Sequence, residues 1–129
     1  MKRTFLILLT VTVLLCLFSC ESSVFDDVTA QLDELSWNSS ALYDESQISQ
    51  IEKSIKSNGI EIKGSVKNIS HYIRGIQGSS TWVYVYEFEF AEDATSFYEQ
   101  YAQNWGNARI KENVVFYGNI KSIIDSIEL

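Results

Sequence analysis

Trp82-Val83-Tyr84-Val85-Tyr86-Glu87-Phe88-Glu89-Phe90 is a run of nine residues, seven of them aromatic or β-branched. Side chains of those types favour the pleated state, and the strict alternation gives the run a period of two. One face of the strand then carries Trp82, Tyr84, Tyr86, Phe88 and Phe90. The other carries Val83, Val85, Glu87 and Glu89. The small polar residues Gly78-Ser79-Ser80-Thr81 precede it and read as a turn. Val66 to Gln77 is extended on the far side, so the two form a hairpin. A tight turn at Ser79-Ser80 would set Gln77 opposite Trp82, Gly75 opposite Tyr84, Ile73 opposite Tyr86 and His71 opposite Phe88.

Downstream, Ala91-Glu92-Asp93 opens a helix with its acids at the favourable end of the dipole. Ala94, Phe97, Tyr98, Tyr101, Ala102 and Trp105 form its apolar stripe, and Gly106-Asn107 closes it. Arg109 to Lys111 and Val114 to Tyr117 form a hairpin over Glu112-Asn113, with Ala108, Ile110, Val115 and Tyr117 on one face. After Gly118-Asn119, the residues Ile120, Ile123, Ile124 and Ile127 line a last helix.

Upstream, Phe25, Val28, Leu32 and Leu35 recur at helical spacing from Val24, and Trp37-Asn38-Ser39-Ser40 breaks that helix. Asp44 with Gln47 makes a capping box for a second helix, Tyr43 can staple onto Ile48, and Ile48, Ile51 and Ile55 share a face. Gly59 is placed to end it in the left-handed conformation. Ile60-Glu61-Ile62-Lys63 reads as a short strand. The order of elements predicts an α+β fold: a largely antiparallel sheet of about five strands, with helices packed mainly on one face.

The aromatic face is expected to be the core side, because the helices need an apolar surface to cover. Trp82, beside the turn, and Tyr84 are the rings expected to stay partly exposed and are the candidate ligand-binding residues; Trp37 has a similar claim. Glu87 and Glu89 read as a solvated outer face, with Arg74 diagonal to Glu87; a paired-carboxylate site is the alternative there. His71, the one histidine, reads as a packed residue rather than a catalyst. The sequence carries no zinc-type cluster, calcium loop, phosphate cradle or serine-nucleophile elbow, so no catalytic residue, metal or cofactor is expected.

The first 19 residues form a separate unit. Lys2 and Arg3 are a positive n-region, Phe5 to Phe18 an apolar h-region, and Ser19 a small residue beside a cleavage point. The run is shorter than the ~20 residues a spanning helix needs. Leu17-Phe18-Ser19-Cys20 resembles the lipobox of bacterial lipoproteins, although Phe18 is bulkier than the usual residue there. The resemblance implies cleavage between Ser19 and Cys20 and a diacylglyceryl thioether on the Cys20 sulfur. An ordinary secretory cleavage, leaving a thiol, is the alternative. The stretch 88–119 also resembles a segment of small uncharacterised bacterial lipoproteins, through its Asp-Ala helix start and Val-Val-Phe-Tyr-Gly strand.

On that reading residues 1–19 are a signal, 20–23 a lipidated tether and 24–129 one globular domain. Cys16 leaves with the signal and Cys20 takes the lipid, so the domain has no disulfide to staple it. Loss of Lys2 and Arg3 leaves 8 basic against 17 acidic residues, a net charge near −9. Such a surface disfavours nucleic acid. The expectation is a non-enzymatic lipoprotein of the bacterial cell envelope, outside the cytoplasm and held to the membrane through Cys20. Its domain would bind an envelope protein or peptide; a glycan or small ligand held by exposed aromatics is the alternative.

Overall fold

The computed structural model describes residues 23–76 and 79–129. The signal and lipobox, Cys20 included, and Gln77 and Gly78 lie outside the described residues. In chain order the elements are α1 (Val24–Asp33), β1 (Ser39–Leu42), α2 (Glu45–Ser57), β2 (Val66–Ile76), β3 (Ser79–Phe88) and α3 (Ala91–Phe97). A π-helical turn, Tyr98–Ala102, extends α3 into Gln103–Trp105. Then come β4 (Asn107–Lys111), β5 (Val114–Gly118) and α4 (Lys121–Ser126). The five strands form one antiparallel sheet in the order β1-β2-β3-β5-β4, and the α+β expectation holds.

Local chemistry sets the helix ends. The Ser23 hydroxyl accepts from the Asp26 N–H at 3.1 Å and starts α1. Asp44 and Gln47 close the expected capping box, with bonds of 2.8 and 3.0 Å. Gly59 takes φ 82° past the end of α2. There its N–H bonds the Lys56 carbonyl and the Ile60 N–H that of Ile55, the pairing of a Schellman motif. Ile55 and Ile60 are buried in the same apolar cluster, which locks the turn.

The sheet is covered on both faces, which corrects the one-sided expectation. On the first face Ile69, Tyr86, Phe88, Val115 and Tyr117 pack against α2 and α3 through Ile55, Ala94, Phe97 and Ala102. On the second, Tyr72, Val83, Val85, Val114 and Phe116 pack against α1 and α4 through Phe25, Val28, Leu32 and Ile124. The face read as solvated is thus a second core. The valines at alternate positions of β3 supply it, and the Phe25/Val28/Leu32 stripe needs an apolar partner of its own.

The β2–β3 register also differs. Ile76 pairs with Ser79, Ile73 with Trp82, His71 with Tyr84 and Ile69 with Tyr86. Ser79 to Thr81 belong to the strand, and Gly75 faces Ser80 rather than Tyr84. Because the shift is even, every side chain keeps its face.

Ile60 to Lys63 is a loop rather than a strand. Its backbone donors are captured by a helix: the Asp93 carboxylate accepts from the Lys63 N–H at 2.9 Å and the Gly64 N–H at 2.8 Å. Asp93 is 2% exposed. The fifth strand is instead β1, which begins in the stretch read as a helix break and runs two residues past it. Along α3 the π turn adds a residue and rotates the helix beyond it. Ala102 is buried as expected, while Trp105, also expected in the stripe, is 64% exposed.

Candidate functional site: an aromatic shelf at the open end of the sheet

Burial along the aromatic side of β3 falls steadily. Phe88 is wholly buried and Tyr86 nearly so, whereas Tyr84 and Trp82 are half-buried. The covering helix explains the gradient. Phe97 of α3 lies 4.6 Å from the Tyr86 ring and 5.3 Å from Phe88, between centroids, and closes that end. The rings toward the hairpin keep part of their surface open.

Those rings touch one another. His71 of β2 lies flat on Tyr84 of β3, centroids 4.0 Å apart and planes 5° from parallel. Trp82 meets Tyr84 at 5.8 Å and Tyr117 of β5 at 5.7 Å, both edge-on. Tyr84 stacks on Tyr117 at 5.6 Å. Tyr43, in the approach to α2, stands edge-on to His71 at 6.4 Å. Offset and edge-on contacts are the arrangements that ring quadrupoles favour, so the cluster is held in one geometry. The backbone is pinned too. Asn119 accepts from the Trp82 N–H at 2.9 Å and donates to the Ser80 carbonyl at 2.6 Å.

Burial dominates the electrostatics of the shelf. It lowers the pKa of His71 from its ordinary value and so favours the neutral ring. It raises that of Tyr84, with a smaller contribution from the neighbouring Tyr43 hydroxyl. Beneath them, burial pushes Tyr86 and Tyr117 well above the usual phenol range. The shelf is therefore an uncharged aromatic surface at neutral pH, suited to flat or apolar groups. Among the described residues no group of three His, Cys, Asp or Glu could hold a metal ion.

Trp82 and Tyr84 thus stand together, and His71, Tyr43 and Tyr117 join them. The sequence hides His71 because the turn expected at Ser79-Ser80 sets it opposite Phe88, four residues along β3 from its observed partner Tyr84. Tyr43 and Tyr117 arrive from elements distant in the chain. Trp37 lies on the other face, its indole N–H donating to the Leu32 carbonyl at 2.7 Å and its ring 5.4 Å from Tyr72. Arg74 sits over the Trp37 ring at 5.2 Å instead of meeting Glu87. Glu87 is 8% exposed and accepts from the Asn68 side chain at 2.8 Å. Glu89, past the strand end, accepts from the Ser65 N–H at 3.0 Å. The two carboxylates have separate partners and do not form a shared site.

Comparison with protein-family models, curated proteins and solved structures finds no match to this chain. Among the described residues no helix is long and apolar enough to cross a membrane.

Proposed function

We propose that the protein is a lipid-anchored, extracytoplasmic module of the bacterial envelope that binds a protein or peptide segment without catalysing a reaction on it. The lipobox-like Leu17-Phe18-Ser19-Cys20 supports the anchor. The observation that carries the binding reading is the burial gradient along β3, which leaves Trp82, Tyr84 and His71 half-open where Tyr86 and Phe88 are closed. Rigid rings that lose little entropy on contact make efficient anchors for apolar side chains.

Two measurements test the reading. Cys20→Ala should abolish incorporation of a radioactive fatty acid and leave uncleaved precursor; undiminished labelling would remove the anchor from the proposal. Cross-linking in intact cells should trap a protein partner, and Trp82→Ala should deplete that product with the fold intact. No shelf-dependent product would count against the binding role.

A second reading, a glycan-binding module, draws on the flat Tyr84–His71 stack, which could receive a sugar face. Soluble cell-wall fragments titrated into the protein, with Trp82→Ala as control, separate it from the first.

A further inference from the structure

On the opposite face of the sheet, β1 is an exposed edge. Its four residues, Ser39-Ser40-Ala41-Leu42, are all exposed, and Leu42 is 65% exposed. Natural edge strands are blunted by shortness, lysine, proline, a bulge, an inward charge or a covering element, and of these β1 has shortness, at four residues. This one has neither charge nor proline. The phase of its ladder is fixed. The Tyr43 N–H bonds the Ile69 carbonyl at 2.9 Å, so residues 39, 41 and 43 turn their backbone groups toward β2. Ser40 and Leu42 turn theirs outward.

The side chains of Ser40 and Leu42 share a face with Tyr72 and Ser70, their cross-strand partners. They border a cleft of about 310 Å³ between β1 and α1. Its α1 wall presents Asp26 and Asp33, seven residues apart and hence on one side of the helix. Tyr72 stands at the base, its hydroxyl donating to Asp33 Oδ1 at 3.0 Å with the Thr29 carbonyl 3.3 Å away as an alternative acceptor.

We propose that this edge accepts an extended peptide segment of a partner protein, added as a sixth strand beside β1, with a lysine or arginine of that segment in the Asp26/Asp33 cleft. A strand laid along β1 would find the outward N–H and C=O groups of Ser40 and Leu42, the mode of β-strand addition. Its alternate side chains would fall over the cleft, where two carboxylates select a cation. A second copy of this chain is the wrong occupant. The chain carries a net charge of −7, and pairing β1 with β1 would set one acidic cleft against another. The proposal concerns a surface distinct from the aromatic shelf and stands or falls separately from it.

The test uses the full chain in detergent and a fluorescein-labelled synthetic hexapeptide of alternating lysine and valine. Saturable binding is expected, with affinity at least about tenfold weaker for the same peptide with glutamate in place of lysine. Methylating the backbone nitrogens on one edge of the peptide should abolish binding. Asp26→Asn with Asp33→Asn should weaken the lysine peptide about tenfold. Leu42→Pro should also abolish binding. It removes an outward N–H while leaving the ladder to β2 intact, as proline on an edge strand allows. Trp82→Ala should leave binding unchanged. Absence of saturable binding would overturn the proposal, as would equal affinity for the glutamate or the N-methylated peptide. A dimer in light scattering that Leu42→Pro dissociates would assign the edge to a second copy and overturn it too. The peptide arms decide the matter if Leu42→Pro fails to fold.

Discussion

His71 and Tyr84 face each other directly across the β2–β3 ladder, and their rings lie 5° from parallel at 4.0 Å. The contact joins the half-open end of the shelf to the core and ties a titratable ring to it. Burial lowers the His71 pKa in the folded state, so between that value and the ordinary 6.5 the unfolded chain binds the extra proton. The His71 contribution to stability is therefore present above pH 6.5 and is lost as pH falls through 6.5 toward the folded value. Urea midpoints measured across this window should decline less steeply for His71→Gln than for the parent. Equal slopes would show that the ring titrates alike in both states.

Trp82 and Phe88 share a strand face but differ in cover, and their truncations should separate. Phe88→Ala empties a fully buried site and should lower stability by about 3–5 kcal/mol. Trp82→Ala removes a half-buried ring and should lower it less, since part of that ring already meets water. Chemical denaturation of both variants makes the comparison. A loss at Trp82 as large as that at Phe88 would make the shelf an extension of the core.

Asp93 holds the 60–65 loop by accepting two backbone N–H groups from within the core. Asp93→Ala strands both donors, and each buried unsatisfied group costs about 1–3 kcal/mol. A loss in that range is expected in thermal or urea unfolding. A neutral result would mean that the loop finds water or another acceptor.

Gly118 of β5 has no room for a side chain beside β3. A Cβ there would stand 2.5 Å from the Trp82 carbonyl oxygen and 3.1 Å from Val83 Cγ2. Backbone has to move to admit it, so Gly118→Ala should destabilise by about 1–3 kcal/mol. Because the displaced atom belongs to Trp82, tryptophan fluorescence should change along with the midpoint.

Periodicity made most of the fold readable. The alternation in Trp82 to Phe88, the stripes of α1 and α2, the capping box, the Glu112-Asn113 hairpin and the Gly59 turn are all matters of local pattern, and each is present. The misreadings have non-local causes. Ile60 to Lys63 has a strand's alternation, but Asp93, some 30 residues away, takes its N–H groups. Ser39 to Leu42 has no alternation to read, because an exposed edge asks for none. Trp105 fits an α-helical stripe, and the π turn that displaces it leaves no mark in the residue pattern. At the shelf, Trp82 and Tyr84 stand out as rings beside a turn. Their partners His71 and Tyr117 depend on register and on the β3–β5 pairing between strands distant in sequence.

From Val83 to Glu87, strand β3 lies between β2 and β5, with a helical layer packed on each face. Its backbone reaches solvent only when both neighbours part and both layers lift. Amide protons of β3 that bond these neighbours should therefore exchange with deuterium through global unfolding alone, and their exchange free energy should equal the total stability. Those of β1, which has one neighbour and little cover, should exchange through local detachment at a much lower free energy. The edge strand can thus open and re-form many times during one lifetime of the folded core.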